Sequence, residues 1–128
     1  MNNLCIPATK YTPEIDFDYH NNTLLLSGQS YPENTAVFYQ PIINWIKDYI
    51  DQIGDQETVF NISIIYFNSS SSKVFMDILD LLDNKAKEGG AFIINWSYAE
   101  DDEIILEHGE EFKEDLEHLT FNIFTKEC

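Results

Sequence analysis

Thr58-Val59-Phe60-Asn61-Ile62-Ser63-Ile64-Ile65-Tyr66-Phe67-Asn68-Ser69-Ser70-Ser71-Ser72-Lys73 is the stretch on which the fold turns. Its first ten residues are rich in Val, Ile, Phe and Tyr, which suit a pleated, packed surface. The near-continuous hydrophobicity around Ile62, Ile64 and Ile65 predicts a central strand covered on both faces. After the polar turn the apolar residues change period. Val74, Phe75, Ile78, Leu79 and Leu82 recur at helical spacing, and Lys87 to Gly90 end that helix. Downstream, Ala91–Tyr98 reads as another buried strand, Asp101–His118 as a third helix and Leu119–Thr125 as a last strand. Strand–helix–strand–helix–strand order implies right-handed crossovers and a parallel sheet.

Upstream, Glu14–Tyr19 alternates, with Ile15 and Phe17 on one face and Asp16 and Asp18 on the other. His20, Asn21 and Asn22 make a turn, and Thr23–Ser27 returns as the second arm of a hairpin. Gly28 to Pro32 breaks the strand. From Glu33, Val37, Phe38, Ile42, Trp45, Ile46, Tyr49, Ile50 and Ile53 mark the first helix, with Gly54 as its C-terminal cap. Pro41 lies inside it and predicts a kink or a division. The expected architecture is α/β: a single domain over residues 1–128. It comprises an N-terminal β-hairpin, largely parallel strands and about three helices packed on the sheet.

Charge narrows the function classes. The 128 residues carry 23 Asp and Glu against seven Lys, a net charge of −16, and contain no arginine. Such a surface repels nucleic-acid phosphates and anionic lipid, so neither a nucleic acid nor a membrane is an expected partner. Without arginine there is no bidentate phosphate clamp. No apolar run reaches membrane-spanning length, and the first ten residues lack a signal peptide's features, so the protein is expected to stay in the cytoplasm where it is made. Cys5 and Cys128 are too few for a disulfide framework and have no metal-ligand spacing; reduced thiols are expected.

The turn after the central strand stands where parallel sheets gather function. It has no glycine, which excludes a Walker-type phosphate loop, and no Gly-x-Ser-x-Gly elbow. One helix start needs one capping residue, supplied by Asn68, Ser69 or Ser70; here four serines stand in a row. A helix N-terminus also tolerates a covalently attached phosphate, and Lys73 lies one turn on. Elsewhere, Glu107, Glu111, Glu114 and His118, with His108 nearby, recur at helical spacing; they read as a solvated stripe or as a metal face. Asp77, Asp80 and Asp83 offer a cation site or a partner-facing stripe, and Lys73 with Asp77 makes an i,i+4 pair. Trp45, Trp96 and the tyrosines read as core rather than as a pocket lining. His20, His108 and His118 have no catalytic spacing, no cofactor motif is present, and an enzyme is not expected.

Beyond these patterns, several segments together resemble one family. They are Ile6-Pro7-Ala8-Thr9, Thr12-Pro13-Glu14, Gly28-Gln29-Ser30-Tyr31-Pro32-Glu33-Asn34, Tyr66 to Lys73, Met76-Asp77-Ile78-Leu79-Asp80-Leu81-Leu82 and Glu110-Glu111-Phe112-Lys113-Glu114-Asp115. They are similar to the SiaC-type regulatory phosphoproteins, which themselves resemble the STAS-like anti-sigma-factor antagonists. The resemblance implies a non-enzymatic switch: a cognate Ser/Thr kinase phosphorylates a residue just after the central strand, and a PP2C-type phosphatase reverses it. The unmodified form then activates an effector such as a diguanylate cyclase, in c-di-GMP signalling that controls biofilm or aggregation. Matched by position, the acceptor is Ser69, where the familiar pattern has threonine, with Ser70 and Ser71 as neighbouring candidates. The implied docking face comprises Asn68, Ser69, Ser70, Ser71 and Lys73 with Met76, Asp77 and Asp80. Rival readings are a scaffold whose serines only cap a helix and a metal protein using the third-helix carboxylates.

Overall fold

The computed structural model describes residues 1–126. Six strands and three helices follow one another as β1 Leu4–Ile6, β2 Glu14–Asp18, β3 Thr23–Ser30, α1 Thr35–Ile53, β4 Glu57–Phe67, α2 Ser69–Lys87, β5 Ala91–Tyr98, α3 Glu103–Glu114 and β6 Thr120–Thr125. The strands lie in the sheet in sequence order, β1-β2-β3-β4-β5-β6. The first two pairings are antiparallel and the remaining three parallel. The hairpin, the parallel crossovers and the three helices are as the sequence pattern predicts. The short edge strand β1 is an addition: three residues are too few to show a period.

Because the crossovers β3–α1–β4, β4–α2–β5 and β5–α3–β6 all step in one direction, right-handed connections put every helix on the same face. Burial agrees. Phe60, Ile62 and Ile64 of β4 are buried with Phe92, Ile94 and Trp96 of β5, beneath Tyr39, Ile42, Ile46 and Tyr49 of α1 and Phe75, Ile78, Leu79 and Leu82 of α2. The alternate residues of β4 remain partly accessible, and Ile65 is exposed. The central strand is therefore covered on one face only, and the expectation of two covered faces is corrected. A run of apolar residues cannot distinguish the two cases; Asn61 and Ser63 within it were the sign of a wetter side. On that side Asn95 Nδ2 donates to Asn61 Oδ1 (3.0 Å) and Asn122 Nδ2 to Asn95 Oδ1 (3.1 Å), an amide ladder across β4, β5 and β6.

Two local expectations also change. Strand β3 does not stop at Gly28: a bulge between Gly28 and Gln29 shifts its register against β4 and carries the strand to Ser30. Gly28 adopts φ +114°, a conformation that side chains disfavour. Helix α1 runs unbroken through Pro41. The proline and Val37, whose carbonyl loses its intrahelical donor, are both exposed, so water can satisfy the freed group. The buried stripe of α1 is Tyr39, Ile42, Ile46, Tyr49 and Ile53, with Val37 outside it. Of the two cysteines, Cys5 is a free, exposed thiol, and Cys128 lies outside the described residues. No described helix is long and apolar enough to cross a membrane.

Candidate functional site

The turn from β4 into α2 opens at the carboxyl end of the sheet, and its geometry divides the serine run. Asn68 is the cap. Its Oδ1 accepts from the Ser71 N–H at 2.9 Å, its carbonyl accepts from the Ser72 N–H at 2.9 Å, and its own N–H donates to the Ser30 carbonyl at 3.1 Å. Capping is thus accomplished without a serine side chain, which removes the reading that the serines serve only as caps.

Ser71 has a different duty. It is fully buried, its Oγ 2.8 Å from Ser30 Oγ, and Ser30 in turn hydrogen-bonds the Tyr39 hydroxyl. This chain of three hydroxyls ties α2 to the end of β3 and to α1. Burial raises the Tyr39 phenol above its ordinary pKa, against a smaller lowering by the Ser30 bond, so it stays protonated and able to donate. Such a chain satisfies polar groups that would otherwise be costly in a core. The position was legible: Ser71 lies four residues before Phe75, on the buried stripe that continues through Ile78, Leu79 and Leu82 of α2. Its burial argues against it as a phosphate acceptor and as a docking residue.

Ser69 and Ser70 remain, both exposed in the first turn of the helix. From Ser69 the spacing of four, four and three residues aligns Lys73, Asp77 and Asp80 on one exposed stripe of α2. Met76 beside it is half-buried and packs on the core. Among the described residues Lys73 and Asp77 form no ion pair, leaving the Lys73 ammonium free toward solvent. Asp80 is raised above the usual carboxylate range, first by partial burial and then by Asp77, Asp83 and Asp115. Gln40, Ile43 and Lys47 of α1 meet Asp77, Asp80, Leu81 and Asn84 in a shallow groove of about 370 Å³. Asp83 serves the fold: its Oδ1 accepts from the backbone N–H groups of His118 (2.8 Å) and Leu119 (3.1 Å), holding the entry to β6.

At the carboxyl end of β4 lies an apolar surface that pattern reading did not single out. Tyr11, Tyr31 and Tyr66 stand edge to face in a row, with ring centroids 5.4 and 5.5 Å apart. Ile65, Tyr66 and Ile104 are 53, 52 and 68% exposed, large apolar side chains left in solvent around one hollow. With Phe67, Asp102, Ile105 and His108 they line a hollow of about 300 Å³, where the His108 ring lies 4.7 Å from Phe67. These residues come from a loop, a strand end and a helix start, so no local period connects them. Trp96 is core, as expected, whereas Trp45 is only partly buried, stacking on Tyr49 and donating to the Asn2 carbonyl.

The third-helix carboxylates do not converge. α3 ends at Glu114, so His118 leaves the helical stripe, and among the described residues no three acidic, His or Cys groups gather as a metal site would require.

Comparison with known proteins gives a consistent result. Residues 6–126 match the model of the SiaC family regulatory phosphoproteins. An uncharacterised protein of Pseudomonas aeruginosa strain UCBPP-PA14 is 36% identical over 115 residues, 90% of each chain. Among solved structures, SiaC of Pseudomonas aeruginosa superimposes with a TM-score of 0.86 at 32% identity, over 99% of this chain and 98% of that one. The crystal structure of the diguanylate cyclase SiaD in complex with its activator SiaC, from the same organism, contains a chain matching with a TM-score of 0.91. Identity there is 34%, over 96% of this chain and 99% of that one.

Proposed function

The chain belongs to the SiaC family of regulatory phosphoproteins, and from that premise we propose that it is a non-enzymatic switch whose state is set by a phosphate on Ser69. The observation that carries this reading is the division of labour in the turn. Asn68 caps, Ser71 is locked in the core, and Ser69 is left exposed at the position the family resemblance assigns to the acceptor. Ser70 is the only other exposed serine of the helix's first turn and is the alternative acceptor.

In the unmodified state the docking face combines the α2 stripe of Ser69, Lys73, Asp77 and Asp80 with the apolar row at Tyr31, Tyr66, Ile65 and Ile104. Phosphorylation adds a charge of about −2 at the rim of this patch. Free N–H groups of the first turn and the helix dipole accommodate the charge without refolding. The partner must then desolvate a dianion on a surface already strongly acidic, and binding fails. The effector is proposed to be a diguanylate cyclase, by analogy with the SiaD–SiaC complex. A Ser/Thr kinase would write the mark and a PP2C-type phosphatase erase it, in the cytoplasm, where ATP is available.

The test is binding to the cognate cyclase, with phosphate mapped by mass spectrometry after incubation with kinase and ATP. Phosphate is expected on Ser69. Ser69→Ala should bind as wild type and resist the kinase, while Ser69→Asp should weaken binding by tenfold or more, about 1.4 kcal/mol. If Ser69→Asp and stoichiometrically phosphorylated wild type both bound the cyclase as tightly as the unmodified protein does, the proposal would fail.

A further inference from the structure

The sheet has one blunt edge and one open one. β1 is a three-residue strand at one border, the kind of short edge that discourages pairing. β6 at the other border is six residues long, and no described segment pairs with its outer side. Thr120-Phe121-Asn122-Ile123-Phe124-Thr125 holds no charge and no proline in a chain of net charge −16, and Phe124 is 47% exposed. An uncharged, β-prone, unpaired edge is a template for another strand.

From these observations we propose that β6 is a self-association edge, pairing antiparallel with β6 of a second copy to join two sheets into one. The register follows from the backbone. The Lys126 N–H donates inward to the Tyr98 carbonyl, so by strand alternation the N–H and C=O groups of Phe121, Ile123 and Thr125 point outward. Antiparallel neighbours related by a two-fold axis normal to the sheet keep both helix layers on the same side. Outward-pointing residues then face outward-pointing residues, and Phe121 exchanges backbone bonds with Ile123 of the second copy, twice over. Asn122 falls on the axis, opposite itself, in a pair without backbone bonds, where side chains approach most closely.

Asn122 is also the last rung of the amide ladder. It donates to Asn95, which donates to Asn61. Its Oδ1 and second N–H have no hydrogen-bond partner among the described residues, and two such amides across the axis can exchange reciprocal bonds, making the ladder continuous through both copies. Phe124 of one copy then lies over Thr120 of the other. Sliding the register by two residues would set Asn122 against Phe124 and leave the amide unpaired, so the pairing centred on Asn122 is favoured. The contact is small, and the acidic α3 helices would come side by side, so association should rise with protein concentration and with salt.

The test uses the full chain. Sedimentation equilibrium should show a monomer–dimer equilibrium that tightens between roughly 0.05 M and 0.5 M NaCl as screening grows. Ile123→Pro removes an outward N–H that the isolated fold does not use. It should keep the wild-type circular dichroism and weaken dimerisation by about tenfold or more. In a Cys5→Ser, Cys128→Ser background, Asn122→Cys should form a disulfide-linked dimer under mild oxidation, since the paired Cα atoms would be about 4.5 Å apart; Phe124→Cys should not. A monomer at millimolar concentration in both salts, a dimer indifferent to Ile123→Pro, or failure of Asn122→Cys to cross-link would each overturn the proposal.

Discussion

At the scale of the residue, four chemically identical serines receive different duties because a helix rotates about 100° per residue. Ser69 and Ser70 meet solvent, Ser71 meets Ser30, and the cap they seemed suited for belongs to Asn68. Asp80, on the stripe below Ser69, allows a pH test. Its pKa is raised, by partial burial and then by Asp77, Asp83 and Asp115. An acid whose folded pKa exceeds its unfolded one costs nothing while protonated in both states. The cost develops as pH rises through the two values and persists above them. Asp80→Asn should therefore melt about a degree or two above wild type at pH 7, a modest surface effect. The difference should vanish below about pH 4, where carboxylates protonate. A gap that widened on acidification would show that the acidic cluster acts otherwise.

At the scale of the element, α3 is seated by an absence. Gly109 is buried, and a Cβ built on it would stand 2.5 Å from the Trp96 ring. Trp96, buried beneath the helix, donates Nε1–H to the Ile105 carbonyl at 3.0 Å. Alanine favours an isolated helix over glycine by about 1 kcal/mol, yet here the added methyl must displace backbone or indole. Gly109→Ala should destabilise the protein by about 1–3 kcal/mol in urea unfolding, with quenching or shift of tryptophan fluorescence as a local readout. A stabilised variant would mean that α3 shifts freely on the sheet. The same element carries Ile104 and His108 to the hollow they line with Ile65, Tyr66 and Phe67, so its seating also shapes that hollow.

At the scale of the whole molecule, one helix layer on one sheet face leaves a half-wet sheet whose open side is a ladder of asparagines rather than a second core. A net charge of −16 spread over a small domain opposes compaction. Among the described residues no lysine pairs with a carboxylate, and the one contact of this kind is the long approach of His108 to Glu111, at 4.0 Å. Salt should then screen repulsion while breaking little. The melting temperature is expected to rise with NaCl up to a few hundred millimolar, and a fall would point to attractive charge pairs in solution. Self-association through β6 would add to this rise, so the comparison belongs with Ile123→Pro as well as wild type.

Local pattern sufficed for much of this architecture. Alternation at Ile15 and Phe17, helical spacing at Phe75, Ile78, Leu79 and Leu82, and Gly54 at the end of α1 are short-range signals, and they determined the hairpin, the helices and the parallel order. The placement of a serine run at the mouth of α2 was equally local. Contacts between distant segments were beyond such signals: that Ser30 and Tyr39 would claim Ser71, that Tyr11, Tyr31 and Tyr66 would form one row, and that Asn61, Asn95 and Asn122 would line up. Apolar residues are drawn inward whichever face is covered, so a near-continuous run such as Ile62 to Phe67 reports burial without its direction. Direction is decided by handedness and strand order, which belong to the assembled sheet. Only there does one side become core and the other stay open, with Ser69 and Ser70 left to solvent while Ser71 is drawn inside.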